Sequence, residues 1–320
     1  MKPIEPVPLS EILAARGRIA GAALRTPLVR LDVPWDAGEI WLKLECLQPI
    51  GSFKIRGAAN AMRLAPREEL SRGVVTASAG NMAQGVAWNA RAMGVPCTVI
   101  VPEHAPATKL AAIERLGGRI VKLPFDRWWQ ALVDHGHPDV PGYFIHPVSH
   151  PAVIAGNGTI GLEILEDLPT VDAVLVPYGG GGLSCGISCA MRGSGSKAPV
   201  WACEVESAAP FSSSLAAGRP VPTEYHPSFV DGIGARTVLE EMWPLARAVL
   251  AGSIVVPLEG VAAAVRVLVE RARVVAEGAG ATSVAAAIAG RGGPGRIVCV
   301  VSGGNIDLTR LVSILAGERG

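Results

Sequence analysis

The sequence predicts an α/β fold with two open, mostly parallel, twisted sheets flanked by helices. Apolar runs of about five residues alternate with helical segments along most of the chain. Strands that are apolar throughout are typical of parallel sheets covered on both faces. Alternating strands and helices form a compact block near residues 73–123, and a second series of strand–helix units fills residue 171 to the end. We therefore expect a large domain from residues 1–66 and 147–320, with residues 67–146 inserted as a small α/β domain.

The periodicity of apolar residues places the elements in chain order. The first helix is expected in residues 10–24, with Ser10 as its N-cap. Strands are predicted within residues 39–45, 73–81, 97–103, 119–124, 171–182, 199–206 and 295–305. Helices are predicted within residues 82–94, 106–118, 159–168 and 183–193. Residues 214–234 lack periodicity and contain several glycines and prolines, which predicts a surface loop.

Composition excludes several classes of protein. The chain has 29 Lys and Arg residues against 28 Asp and Glu residues, so no strong field attracts nucleic acid or an anionic membrane. The longest uncharged run, residues 173–191, contains Pro177 and four glycines in a row, which a lipid-facing helix would not have. The N-terminal residues lack the apolar core of a secretory signal, and the six cysteines form no CxxC pair. We expect a soluble, cytoplasmic protein with free thiols, bound to neither nucleic acid nor membrane.

Lys54 stands among small and apolar residues, between Phe53 and Ile55 and just after Gly51 and Ser52. One interpretation is a surface lysine whose stem packs on the core while its ammonium reaches water. The other is an amine removed from water for chemistry. Burial lowers the pKa of an amine and makes it available to condense with a carbonyl group.

Four consecutive glycines, Gly179 to Gly182, lie between an apolar strand and a helix. Glycines allow successive backbone N–H groups to converge on one point, and the N-terminus of the following helix adds its positive dipole end. A tight turn requires fewer glycines than this. The stretch therefore predicts a phosphate-binding loop made of backbone.

Two further strand ends carry polar side chains. Residues 78–85, SAGNMAQG, follow a strand and begin a helix, so the amides and the side chains of Ser78, Asn81 and Gln84 are placed to bind a carboxylate. Ser302 follows a fully apolar strand, at the edge where open α/β sheets bind ligands. Together with Lys54 and the glycine loop, these features predict a phosphorylated, planar cofactor whose aldehyde condenses with Lys54.

Other motifs in the sequence are weaker. Residues 156–161, GNGTIG, match a dinucleotide-binding pattern, but Pro151 interrupts the preceding segment and no suitable acidic residue follows. The sequence has no Walker A, H-E-x-x-H or G-x-S-x-G motif. His146 and His150 flank Pro147 without the helical spacing of metal ligands.

Four motifs together resemble one enzyme family: GSFKIRGA, SAGNMAQG, GGGGL and SGGNID, in this order and spacing. They are similar to those of the threonine/serine dehydratase (threonine ammonia-lyase) and serine racemase family. Its members are pyridoxal 5'-phosphate (PLP) enzymes with the tryptophan-synthase-β-like fold, fold type II. The resemblance implies β-elimination of L-threonine and L-serine to a 2-oxo acid and ammonia. It also implies a homodimer.

The resemblance further implies a role for each matching residue. Lys54 would form the Schiff base with the cofactor and remove the Cα proton, Phe53 would lie beside the ring, and Asn81 would bind the phenolic oxygen. The implied phosphate ligands are Gly179, Gly180, Gly181, Gly182 and the Leu183 amide. Ser302 would face the pyridine nitrogen, and Glu277 would lie near the cofactor. The implied substrate-binding positions are Ser78, Ala79, Asn81, Met82 and Gln84.

Three positions depart from the family pattern. Serine racemases of the family have a serine at the position of Ala79, and since a methyl group cannot deliver a proton, racemisation is expected to be poor. Met82 replaces a common histidine and makes the substrate pocket more apolar. Related enzymes bind a divalent cation through acidic residues that follow the strand predicted within residues 199–206, which ends in the letters EVE. Only Glu206 matches them here. Metal dependence is therefore only a hypothesis.

Trp128 and Trp129, in the segment PFDRWWQ, have two interpretations. They line a pocket for a bulkier β-substituent such as phenyl, or one packs in the core while the other lies at the surface. The alternative functions are accordingly the same elimination on a larger 3-hydroxy amino acid such as β-phenylserine, serine racemisation, and non-catalytic sensing of an amino acid.

Overall fold

Two separate sheets organise the computed structural model, which describes residues 2–317. The strands are β1 (Leu28–Arg30), β2 (Gly38–Lys43), β3 (Val74–Ala77), β4 (Cys97–Pro102), β5 (Arg119–Leu123), β6 (Tyr143–Phe144), β7 (Ala173–Pro177), β8 (Val200–Val205), β9 (Gly252–Val256) and β10 (Gly295–Val300). The larger sheet has the order β1-β2-β10-β7-β8-β9, and the smaller sheet has the order β5-β4-β3-β6. Every pairing within these sheets is parallel except that of β1 with β2. The predicted fold class is confirmed.

Helices cover both sheets. They are α1 (Leu9–Ile19), α2 (Lys54–Leu64), α3 (Arg67–Ser71), α4 (Asn81–Met93), α5 (Ala107–Arg115), α6 (Phe125–Val133), α7 (Pro151–Asp167), α8 (Gly182–Gly193), α9 (Pro210–Ala217), α10 (Trp243–Val249), α11 (Leu258–Val267), α12 (Gly278–Ile288) and α13 (Leu308–Leu315). Within residues 2–317, no helix combines the length and the apolar character needed to cross a membrane.

The prediction that Ser10 caps the first helix is wrong. The helix begins at Leu9, and the carbonyl of Pro8 accepts hydrogen bonds from the amides of Glu11 and Ile12. Proline has the fixed φ that suits the residue entering a helix, so the helix starts without a side-chain cap. It also ends at Ile19, earlier than the apolar pattern predicts.

The GNGTIG segment lies inside α7 and serves helix packing. A Cβ atom at Gly156 would lie 2.6 Å from the backbone oxygen of Arg56 in α2. A Cβ atom at Gly161 would lie 2.8 Å from the backbone oxygen of Ile187 in α8. These glycines let α7 approach both neighbouring helices backbone to backbone. The helix starts at Pro151, well before the predicted residue 159, because His150 caps it by accepting from the amide of Ala152 at 3.2 Å.

Helix α2 connects the two sheets. Just before it, the amide of Phe53 donates to the carbonyl of Ser302, 3.0 Å away, next to the end of β10 in the larger sheet. Farther along, Ala58, Ala61 and Met62 are fully buried in the core of the smaller sheet. The first residue of α2 is Lys54, so the fold places this amine between the carboxyl ends of the two sheets.

Candidate active site

The predicted site residues line one cavity of about 560 Å³. This volume is within the range of small-molecule sites. Its lining includes Phe53, Lys54, Ser78, Ala79, Asn81, Met82, Gln84, Gly179, Gly180, Gly181, Gly182, Leu183, Glu277 and Ser302. These residues come from five separate parts of the sequence. Glu206, the candidate metal ligand, does not line it.

The amine of Lys54 is held inside this cavity. Its Nζ donates to the carbonyl of Pro147 at 2.8 Å and lies 5.2 Å from the centroid of the Phe53 ring. Burial lowers the pKa of Lys54 to about 8, although the nearby Glu277 carboxylate acts in the opposite direction. The structure therefore favours the interpretation of Lys54 as a desolvated, reactive amine.

The glycine loop requires glycine for two reasons. Gly181 has a φ of 90°, in the left-handed region. A Cβ atom at Gly180 would lie 2.6 Å from the side chain of Val148, so the loop is pressed against this residue. Gly182 then begins the 12-residue helix α8, whose N-terminus faces the cavity. The loop is a backbone surface at the positive end of a helix dipole, which suits a phosphate.

Asn81 is oriented by two partners. Its Nδ2 donates to Oε1 of Glu277 at 2.8 Å, and its Oδ1 accepts from Nδ2 of Asn305 at 2.8 Å. Burial, with a further contribution from Asp231, raises the pKa of Glu277 to about 7. Asn305 also donates to the carbonyl of Ile50. Sequence reasoning missed Asn305, although it belongs to the SGGNID motif.

The remaining predicted residues form the walls of the cavity. Ser302 is 3% exposed and lies at the strand edge, as predicted. The Ser78 hydroxyl accepts from the amide of Gly80 at 3.2 Å, so it shapes the turn that enters α4. Met82 is 1% exposed and belongs to the core of the smaller sheet while it lines the cavity. The substrate side of the cavity is accordingly apolar near Ala79 and Met82.

The two tryptophans separate. Trp128 lines the cavity together with Phe125 and Leu132, whereas Trp129 is 36% exposed and does not line it. The interpretation that both line the pocket is wrong, because adjacent helical residues point in different directions.

Sequence reasoning also missed a polar group at the cavity. His104, Lys109, Tyr225 and Asp231 line it, and Nζ of Lys109 lies 2.5 Å from Oδ2 of Asp231. This ion pair connects α5 with the aperiodic loop of residues 214–234. No periodicity marks the loop, and only the fold brings these residues together.

Glu206 contacts the backbone of a neighbouring helix. Its Oε1 accepts from the amide of Leu258 at the start of α11, 2.8 Å away. The neighbouring Glu204 accepts from the amides of Phe211 and Ser212, each at 2.8 Å, and so caps α9. In the described part of the chain, no three His, Cys, Asp or Glu side chains are grouped so that they could hold a metal ion.

A desolvated lysine, a backbone phosphate loop and a strand-end serine meet between two parallel sheets. This arrangement defines an α/β enzyme that holds a phosphorylated carbonyl cofactor. The glycine loop fits a phosphate because a side chain at Gly180 would collide with Val148, and the lysine fits an aldehyde because its amine is desolvated. A family model described as pyridoxal-phosphate dependent enzyme matches residues 19–303, and the chain belongs to this family.

Relatives resemble the chain over almost its whole length. It is 39% identical to an L-threonine ammonia-lyase of Thermotoga maritima, over 97% of this chain and 78% of that protein. The solved structure of maize serine racemase has a TM-score of 0.89 and 30% identity, covering 98% of both chains. The threonine deaminase isoform 2 of Solanum lycopersicum has a TM-score of 0.89 and 33% identity, covering 97% of this chain and 87% of that one.

Proposed function

We propose that the protein is a PLP-dependent ammonia-lyase that converts L-threonine and L-serine to 2-oxo acids and ammonia. The observation that carries the proposal is the position of Lys54, whose desolvated amine shares one cavity with the four-glycine loop. The 39% identity to an L-threonine ammonia-lyase supports this choice of substrate.

Bound PLP would supply an electron sink that stabilises negative charge at the Cα atom of an amino acid. The residues that would hold it are the amides of Gly179–Gly182 and Leu183 for the phosphate, and Lys54 for the carbonyl carbon. Phe53 and Asn81 would lie along the ring, Ser302 at its nitrogen, and Glu277 behind Asn81. The Ser302 hydroxyl is neutral and does not impose a proton on the ring nitrogen, which suits elimination better than transamination.

The chain's own groups would then perform the proton transfers. Because the pKa of Lys54 is lowered to about 8, its amine is suited to take a proton from Cα near neutral pH. The amides at the start of α4, with Ser78 and Gln84 beside them, are placed to hold the substrate carboxylate. The hydroxyl group on Cβ leaves as water, and hydrolysis of the released enamine gives the 2-oxo acid and ammonia.

Ala79 favours elimination over racemisation in this proposal. Racemisation needs a proton donor on the face of Cα opposite Lys54, and the methyl group of Ala79 lines the cavity where related racemases have a serine. The 30% identity to maize serine racemase keeps racemisation as a side reaction to be measured.

The test is an end-point assay on purified, PLP-loaded protein. L-threonine and L-serine are supplied in parallel, and 2-oxo acid, ammonia and D-amino acid are quantified. We expect equal amounts of oxo acid and ammonia with little D-serine. If D-serine were the main product, the argument from Ala79 would be wrong. If the PLP-loaded protein formed no product from either substrate, the proposed lyase activity would be wrong.

We further propose the organisation of the protein. Residues 67–146 contain the whole four-stranded sheet and would form the small domain within a large domain of residues 1–66 and 147–320; Met1 and residues 318–320 lie outside the described residues.

A homodimer is proposed from the family resemblance, and light scattering after size-exclusion chromatography tests it. A cytoplasmic location is supported by six free cysteines, five of them buried.

A further inference from the structure

One face of α6 forms part of the cavity wall. Phe125, Trp128 and Leu132 are spaced i, i+3 and i+7, so they lie on one side of the helix, and all three line the cavity. We refer to these three residues as the α6 wall. Trp129 lies outside this face.

The exposure of Phe125 distinguishes the α6 wall from ordinary core packing. Phe125 is 48% exposed although it is a large apolar residue. The indole N–H of Trp128 is buried and has no hydrogen-bond partner within residues 2–317. A buried donor without a partner is rare in folded proteins, and because protein atoms already cover this N–H, it is not itself a contact for a ligand.

The two aromatic rings of the α6 wall pack against each other. Their centroids lie 5.5 Å apart with an interplanar angle of 46°. This separation is within the range of favourable aromatic pairs, and a third ring can extend such a cluster.

The charges of the same cavity argue against an acidic substituent. The ammonium of Lys109 is paired with Asp231 at 2.5 Å, so an acidic group would meet a cation whose charge is already balanced. The end of β4 adds Pro102 to the lining, and the segment after it adds His104, Ala105 and Pro106. The surroundings of the α6 wall are mainly apolar.

We infer that the substrates include 3-hydroxy amino acids with an aromatic substituent on Cβ, and that the α6 wall binds this substituent. The inference rests on the proposed elimination. Threonine carries only a methyl group at this position and serine a hydrogen, and neither covers an aromatic wall. The simplest substrate of the inferred class is threo-β-phenylserine.

The reaction balances without a further reagent. The Cα–H and Cβ–O bonds break, and the hydroxyl group leaves with a proton as water. Hydrolysis of the released enamine then consumes one water and frees ammonia. The net change is phenylserine to phenylpyruvate plus ammonia, with no external oxidant or reductant.

The test compares kcat/KM for threo-β-phenylserine and L-threonine on the PLP-loaded enzyme. We expect the wild type to prefer phenylserine. Trp128→Ala and Phe125→Ala should each lower the phenylserine-to-threonine ratio about tenfold or more, the scale on which apolar pockets discriminate. Trp129→Ala is the matched control, since it removes the same side chain one residue away, and it should leave the ratio unchanged.

A binding measurement separates this inference from the proposed function. Calorimetry compares L-phenylalanine with L-alanine, neither of which has a leaving group on Cβ. We expect tighter binding of L-phenylalanine in the wild type and loss of this preference in Trp128→Ala. If that variant does not fold, Trp128→Leu keeps apolar volume while it removes the ring and the N–H.

The outcomes are distinct. The inference would be overturned if the wild type turns over threonine, its phenylserine-to-threonine ratio of kcat/KM is below one, and the Trp128 variants do not change that ratio. This result would leave the proposed lyase intact. Equal binding of L-phenylalanine and L-alanine would also overturn it. Wall-dependent binding of L-phenylalanine without turnover of either hydroxy amino acid would instead reject the elimination and retain the aromatic subsite.

Discussion

Arg56 binds Glu45 through two parallel hydrogen bonds, from Nε and Nη2, each 2.8 Å long. The same guanidinium pairs with Glu163, and Glu163 also accepts from Lys43, 2.6 Å away. All four side chains are almost completely buried, and their two positive and two negative charges balance. Arg56 lies two residues after Lys54, so this network fastens the beginning of the helix that carries the reactive amine.

Glu163→Gln should destabilise the fold by about 3–5 kcal/mol, because it leaves two buried cations against one carboxylate. The free energy of unfolding of the cofactor-free protein, measured in denaturant, checks this. Glu166→Gln is the matched control on the same helix, since Glu166 forms exposed ion pairs and its loss should cost less than about 1 kcal/mol. Equal effects of the two changes would show that the buried network does not stabilise α2.

Lys54 should make the stability of the cofactor-free protein depend on pH. Its folded-state pKa of about 8 is below the ordinary value of 10.5, so between these values the unfolded chain binds more protons. Stability should therefore rise with pH in this window, by at most about 1.4 kcal/mol per pH unit. Lys54→Met removes this contribution. Unfolding free energies of both proteins across the window measure the difference, and parallel pH profiles would contradict the lowered pKa.

His146 should position the acceptor of Lys54. Its Nδ1 accepts from the amides of Val148 and Ser149 at 3.1 and 2.7 Å, in the turn that contains Pro147. Burial lowers the pKa of His146 to about 3, so the ring stays neutral and remains an acceptor.

His146→Leu leaves these amides without a partner and should cost about 1–3 kcal/mol of stability. It should also shift the pH dependence of the absorption of bound PLP, which reports on Lys54. His146→Asn keeps an acceptor oxygen and should restore part of both effects. A loss of stability in His146→Leu with an unchanged absorption profile would limit His146 to a structural role.

Gly180→Ala should weaken PLP binding about tenfold or more, because its methyl group would collide with Val148 at 2.6 Å and displace the loop. The dissociation constant from absorbance titration tests this. Gly17→Ala in α1 is the control, since no atom lies within 4 Å of its added Cβ. An unchanged constant for Gly180→Ala would mean that the loop does not bind the phosphate.

Local patterns in the sequence predicted most strands and the chemical groups of the site. An apolar run such as that of β7 is recognisable as a strand from the sequence alone. Strands β1 and β6 have only three and two residues, which is too short to show a period. The roles of Lys54 and the glycine loop follow from residue type and neighbours. Local patterns could not predict contacts between residues that are distant in the sequence. The carbonyl that accepts from Lys54, for example, belongs to Pro147, 93 positions away. The glycines of GNGTIG were equally ambiguous, since close helix packing and ligand binding both require a missing side chain.

Helix α7 determines how far apart the two ends of the cofactor site lie. Its glycines touch the backbone of α2, which begins with Lys54, and that of α8, which begins at the phosphate loop. Since no side chain separates these backbones, rotamer changes cannot adjust the span between amine and loop. A carbonyl compound must therefore match this length to reach both ends at once. The enzyme should discriminate against pyridoxal compounds with a shortened or lengthened phosphate arm, by molecular length and independently of charge.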